Sequence, residues 1–311
     1  MKRTFKILFF VIFAVFFLCA DSFSFSFDDV LKNVSKESID EKLNGVKKLQ
    51  DTFSSIDRAS EPITPVDSYE IGRTVSASIL KQYPLYDGKK ATAYLNKICK
   101  AIALNSDTPA IYKDYCVGIL DTDEINALST CGGHIFISTG LLQCCTSEDA
   151  IASVIAHELA HIQLEHAVSA IKTSRTTTAI NKTASTAQEI SSMAGESRQI
   201  FTDLTSSSLA VLDVLVEKGY PKEQEYKADE LAVKLMIQTG YDPNAMVDML
   251  QVLDQMHANE SSDEKGWKKT HPKPADRIKR VKAAITKSKY TGTADSARDA
   301  RFKKNIGETL R

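Results

Sequence analysis

His157-Glu158-Leu159-Ala160-His161 is the stretch on which the reading of this 311-residue sequence turns. Two histidines four residues apart on a helix share one face, so both imidazoles can reach a single metal ion. Glu158 is offset around the helix, near enough to address a metal-bound water without ligating. Zinc lowers the pKa of such a water to about 7, and an adjacent carboxylate can take its proton during attack on a carbonyl. The apolar neighbours Ile151, Val154, Ile155, Ala160 and Ile162 predict a buried helix, where unpaired histidines would be costly. Thr146 or Ser147 can cap its start, and Glu148 or Asp149 adds negative charge to the first turn.

Two histidines do not complete a catalytic zinc site, so a third ligand is needed. A histidine six residues after His161 with a glycine three after it would mark a metzincin. Those positions hold Ala167 and Leu164. His166 comes one residue early and, on a continuous helix, points about 140° from His161. It is expected to face solvent or a salt bridge. Glu225 in Glu225-Tyr226-Lys227-Ala228-Asp229 is the better candidate, with Glu189 and Glu196 competing on spacing. Glu225 and Asp229 share a helix face that Ala228 and Ala232 keep slim. One carboxylate can ligate while the other accepts the remaining N–H of a ligand imidazole.

Around this centre the chain reads as mostly helical. Helices are predicted over about 69–83 and 91–104, after Pro62 and Pro65, and over about 222–239, ending at Gly240. Another starts at Asp242-Pro243, and a basic one runs through Ile278, Val281 and Ile285. Strand signals cover 115–120 and 125–138. Gly132-Gly133 interrupts the second, which predicts a bulge or a close backbone approach. The Ser/Thr/Ala-rich stretch 173–208 reads as an insertion or a weakly packed helix pair, and is a candidate lid. The expected fold is α+β, a mostly helical zincin-like domain with a small β-sheet bordering the cleft.

Four motifs in this order resemble the M48 zinc metallopeptidases over about 63–285. Asn126-Ala127, then Cys131-Gly132-Gly133-His134-Ile135-Phe136-Ile137-Ser138-Thr139-Gly140-Leu141-Leu142, resembles the family's substrate-edge strand and its exit. His157–His161 matches the zinc helix and Glu225–Asp229 the third-ligand motif. Thr270-His271-Pro272 with Arg277 matches the late His-Pro loop. The resemblance implies one Zn²⁺ held by His157, His161 and Glu225, with Glu158 as general base and acid. Asp229 and Arg277 would stand behind the ligands. His271 would stabilise the oxyanion or occupy the open coordination position in a latent state. Gly133, His134, Ile135 and Phe136 would take a substrate segment by β-augmentation, a mode that binds main chain and tolerates varied side chains. Unfolded or misfolded proteins are the implied substrates and envelope protein quality control the implied role. Peripheral association with a membrane or with envelope assembly machinery is implied as well. The rival readings are a zincin scaffold that only holds clients, and an amidase of the cell wall.

Composition agrees with a globular chain: 43% of residues are hydrophobic and 25% charged. Lys plus Arg (39) nearly balances Asp plus Glu (40), so no basic field suggests nucleic acid as a partner. Met1–Lys6 is basic and Ile7–Ala20 continuously apolar, shorter than the about 20 residues a spanning helix needs. Residues 1–22 are therefore expected to be a cleaved signal peptide, in preference to an anchor or a lipoprotein at Cys19. A helical segment would follow over 23–62, the peptidase domain over 63–287 and a poorly ordered tail over 288–311. Export to the periplasm or cell envelope permits disulfides. Even so, Cys99, Cys116, Cys131, Cys144 and Cys145 read as buried small hydrophobes with at most one bridge.

Overall fold

The computed structural model describes residues 61–184, 206–259, 271, 274–292 and 295–307. All of these residues belong to one compact unit. The expected signal peptide, nearly all of the segment 23–62, and Glu189 and Glu196 fall outside the described residues, as does most of the candidate lid. No helix among the described residues is long and apolar enough to cross a membrane.

Helix α1 (Pro65–Gln82) starts where Thr64 and Asp67 form a reciprocal capping box with proline at the first turn. Helix α2 (Lys89–Leu104) follows, burying Tyr94, Leu95, Ile98 and Ile102 at helical spacing. Strands β1 (Cys116–Leu120), β2 (Ala127–Ser129) and β3 (His134–Ser138) make one sheet in the order β1-β3-β2. β3 runs parallel to β1 and antiparallel to β2. The sheet separates two apolar clusters. Ile135 and Ile137 enter the larger one, and Phe136 enters the other with Leu128 and Leu120, as the two-residue period of a strand requires.

The two glycines that interrupted the strand pattern mark a turn. Gly133 has φ +86° and its N–H donates to Thr130 O at 3.2 Å, so 125–138 folds into a hairpin. Gly132 lies against the backbone of Gly72 in α1, where a Cβ on Gly72 would collide with its main chain. The expected close approach is thus present.

That topology corrects one expectation. β3 sits in the middle of the sheet with both edges paired, so Gly133, His134, Ile135 and Phe136 have no free main-chain edge for a substrate. The sheet's outer strand on that side is β2. Asn126 O accepts from Ser138 N and Thr130 N donates to His134 O, so Ala127 and Ser129 turn their own N–H and C=O away from β3.

After the short α3 (Thr139–Cys144), helix α4 (Glu148–Gln163) carries the histidine pair. Ser147 is its N-cap, its side chain accepting from Ala150 N at 3.1 Å. α5 (His166–Ala184) comes next. A π-helical turn at Asp213–Lys218 precedes α6 (Lys222–Thr239), which stops at Gly240 in the left-handed conformation, φ +87°. α7 (Asn244–Asn259) and α8 (Pro274–Ser288) complete the shell around α4 and α6.

The tail also differs from expectation. α9 (Ser296–Phe302), with a π-helical turn at Lys303–Gly307, packs on α4 and α2. Two arginines tie it down. Arg301 grips Glu148 through Nε at 2.9 Å and Nη2 at 2.7 Å, and Arg298 reaches Asp149 at 2.7 Å. These partners are far apart in sequence, and charged tails read as solvated when their partners are not in view. All five described cysteines are free thiols, and Cys116 is exposed where burial was expected.

Candidate metal centre

The α4 helix is buried along nearly its whole length, with His157, Glu158 and His161 at 5%, 3% and 2% exposure. Across from it, α6 brings Glu225 and Asp229 in at 0% exposure, because Ala228 and Ala232 let the two helices close up. The Nε2 atoms of His157 and His161 are 3.1 Å apart. Glu225 Oε1 is 3.3 Å from His161 Nε2, and Oε2 is 3.6 Å from His157 Nε2. Neither carboxylate oxygen of Glu225 has a hydrogen-bond partner among the described residues, though both are buried. Donors placed tetrahedrally at about 2.0–2.1 Å from a zinc ion are separated by about 3.3 Å. Both imidazoles and the carboxylate therefore fit one such ion, and a buried carboxylate without donors is costly unless a cation meets it.

His271 joins this group. His157, Glu225 and His271 each offer a ligand atom within 4.8 Å of the others, and the His271 side chain is only 6% exposed. Behind His157, Asp229 Oδ1 lies 3.0 Å from Nδ1, which fixes the proton there and leaves Nε2 facing the site. Arg277, 2% exposed, holds Asp229 with two bonds, Nε to Oδ2 at 2.9 Å and Nη2 to Oδ1 at 2.7 Å. Of the residues singled out in the sequence, His157, Glu158, His161, Glu225, Asp229, His271 and Arg277 come together. The set Gly133–Phe136 does not present an edge to them.

The electrostatics follow from this packing. Burial opposes ionisation of Glu225, but the imidazoles of His271, His161 and His157 outweigh it and hold the carboxyl well below its usual range. Asp229 is likewise depressed: burial resists, and the Arg277 guanidinium wins. For His157, burial and the Arg277 charge disfavour the proton, yet Asp229 and Glu225 prevail and raise it to about 9. His271 is pushed down to about 3 chiefly by burial, against the attraction of Glu225 and with Arg277 and the other imidazoles adding to the depression.

Three features were not legible from spacing. His166 is buried at 4% exposure with Nδ1 2.9 Å from His161 Nδ1, contrary to the solvent-facing position expected for it. The helix does not continue. Gln163 ends α4, and Glu165 at φ +54° turns the chain so that His166 points back. Tyr220 stacks on His161 with ring centroids 4.4 Å apart. Beside Glu158 and His157 lies a recess bounded by Ala127 of β2 and by Met246, Met249, Leu250 and Leu253 of α7. From the sequence only the start of this helix was legible, at Asp242-Pro243, and nothing there placed these residues beside the histidines.

The model of peptidase family M48 matches residues 89–285. The chain belongs to that family. Among its relatives, the β-barrel assembly-enhancing protease of Escherichia coli K12 is 25% identical over 196 residues, covering 63% of this chain and 39% of the relative. The mitochondrial metalloendopeptidase OMA1 of Schizosaccharomyces pombe is 25% identical over 190 residues, 61% and 52% of the two chains. Metalloprotease YcaL of E. coli K12 is 24% identical over 197 residues, 63% of this M48 chain and 70% of that one. The match thus spans about two fifths of the assembly-enhancing proteases' length. The M48 assignment brings a metallopeptidase fold, and the helical architecture with its small sheet agrees with it.

Proposed function

We propose that this M48 chain is a zinc-dependent endopeptidase acting on unfolded or misassembled proteins outside the cytoplasm, in quality control of the cell envelope. The observation that carries the reading is the Glu225 carboxylate, buried without a hydrogen-bond partner and facing two imidazole Nε2 atoms at 3.3 and 3.6 Å. His157, His161 and Glu225 would hold the ion. Zinc supplies Lewis acidity and makes bound water acidic enough to attack near neutral pH. Glu158 takes the proton of the attacking water and delivers it to the leaving amine. Asp229, clamped by Arg277, keeps His157 in the tautomer that presents Nε2. The proximity of His271 to His157 and Glu225 supports the second of its two expected roles, a latent state in which it fills the open position.

Substrate main chain would pair along β2, with the outward groups of Ala127 and Ser129. That strand is only 2–3% exposed, so pairing needs the cleft to open. The recess between Glu158 and α7 is walled by methionines and leucines, which adapt to varied apolar side chains. Such side chains are what an unfolded protein exposes. The names of the bacterial relatives, together with a basic then apolar N-terminus, support placement in the envelope.

The test is digestion of casein by the purified chain beside Glu158→Gln, both assayed for zinc. Zinc in both, with cleavage slowed about 10²–10⁴-fold by the substitution, is the expected result. If neither cleaves, His271→Ala should release activity. The absence of zinc from the unmodified protein would end the reading.

A further inference from the structure

We infer that His166 is a positioning residue for the metal centre, accepting the Nδ1–H of His161 and so holding that ligand's Nε2 toward the ion; the inference rests on the zinc reading above. His161 Nε2 is the nitrogen that faces His157 Nε2 at 3.1 Å and Glu225 Oε1 at 3.3 Å. A neutral imidazole that ligates through Nε2 carries its proton on Nδ1. The atom nearest that proton's direction is His166 Nδ1, at 2.9 Å. The bond therefore runs from His161 to His166, and His166 must keep its own proton on Nε2.

The two ligand histidines are supported in different ways. His157 leans on a carboxylate, Asp229, which is itself held by Arg277. His161 leans on a neutral acceptor and on the face of Tyr220, whose ring also lies 5.6 Å from that of His166. The local backbone is built for this contact. Glu165 adopts φ +54°, a conformation few non-glycine residues take, and it turns the α4 axis so that the first residue of α5 folds back on the preceding helix. Without that turn, His166 would project away from His161. A carboxylate behind His161 as well would add a third negative charge to a pocket that already buries Glu225 and Asp229. An imidazole orients the ligand without that charge.

The experiment measures zinc affinity by competition with a chromophoric chelator, and thermal unfolding of the metal-free form, for the native chain, His166→Leu and His166→Asn. Leucine removes the acceptor; the asparagine Oδ1 sits where Nδ1 was. The expected result is zinc binding weakened about 10–100-fold in His166→Leu and restored to within about threefold of native in His166→Asn, with metal-free unfolding temperatures alike. Equal affinity in all three, or asparagine as weak as leucine, overturns the inference while leaving the peptidase reading intact. Absence of zinc from the native chain overturns both. Should His166→Leu not fold, a long-range ¹H–¹⁵N spectrum of the zinc-loaded native chain decides the matter. His166 with an unprotonated Nδ1 supports the assignment, and a protonated Nδ1 overturns it.

Discussion

Two glutamates meet at the opposite ends of the α4 helix, and both are almost fully buried. Glu148, at the helix start, is 2% exposed and accepts from Tyr94 at 2.7 Å, from Tyr241 at 3.3 Å and twice from Arg301. Glu225, reaching from α6 to the other end, is 0% exposed, and neither of its oxygens has a hydrogen-bond partner among the described residues. One carboxylate is satisfied by the protein. The other faces the Nε2 atoms of His161 and His157 at 3.3 and 3.6 Å, with Arg277 Nη1 3.6 Å from its Oε2, beyond hydrogen-bond reach. Burial alone does not separate structure from function; the identity of the neighbours does. A carboxylate saturated by hydroxyl and guanidinium hydrogen bonds closes a fold, whereas one that faces imidazole Nε2 atoms without a hydrogen bond fits a metal ion.

The contrast is sharpest when each carboxylate is removed. Glu225→Gln should weaken zinc binding on the order of 1,000-fold, taking roughly 3–4 kcal/mol per ligand from about 10–16 for a full set. Its metal-free stability should fall, but by less than that of Glu148→Gln, because burial already opposes the Glu225 charge and no hydrogen bond is lost with its attraction to the imidazoles and Arg277. Chelator competition and denaturant titration check the two halves. Loss of stability with retained zinc would break the comparison.

Glu148→Gln should behave in the opposite way. It removes the charge that pairs with Arg301 and replaces one acceptor oxygen by an NH₂ that faces donors, and should cost about 3 kcal/mol of stability. Zinc affinity measured below the unfolding range should stay within a few-fold of native. Denaturant melts at matched metal occupancy provide the measurement.

The smallest effect separates the ends by pH. His157 is raised from 6.5 to about 9 in the metal-free protein, so between those values the folded state binds more protons than the unfolded one. Its contribution to metal-free stability is fully present below about pH 6.5 and is lost as the pH rises through about 9. Zinc must displace that proton, so its apparent affinity should climb up to about tenfold per pH unit over the same window. Unfolding curves and zinc titrations at pH 6, 7.5 and 9 should show the two trends running oppositely. Parallel trends would mean that the His157 proton is not the one displaced.

What could be read from the sequence was whatever a single element's period encodes. The i, i+4 histidines, the i, i+4 carboxylates with small residues beside them, Ser147 as a cap and Gly240 as a stop are all local patterns, and each stands where it was expected. Spacing left Glu189 and Glu196 competing with Glu225, and only the pairing of α4 with α6 puts Glu225 within 3.6 Å of both histidines.

Three other features depended on pieces that meet in space. The family resemblance implied that β3 is the substrate edge, yet strand order is a property of the sheet, and the edge passes to β2. His166 was misplaced because a helical wheel presumes an unbroken helix, and one left-handed residue at Glu165 re-aims everything after it. The tail read as poorly ordered because Arg298 and Arg301 are 149 and 153 residues from the acids they bind. The sequence by itself determined which residues could do metal chemistry and the helices that carry them, since backbone periodicity is set within a few residues. Tertiary structure decided which strand is the edge, which imidazole supports which ligand, and which buried carboxylate is left for a metal, since these depend on neighbours brought together only by packing.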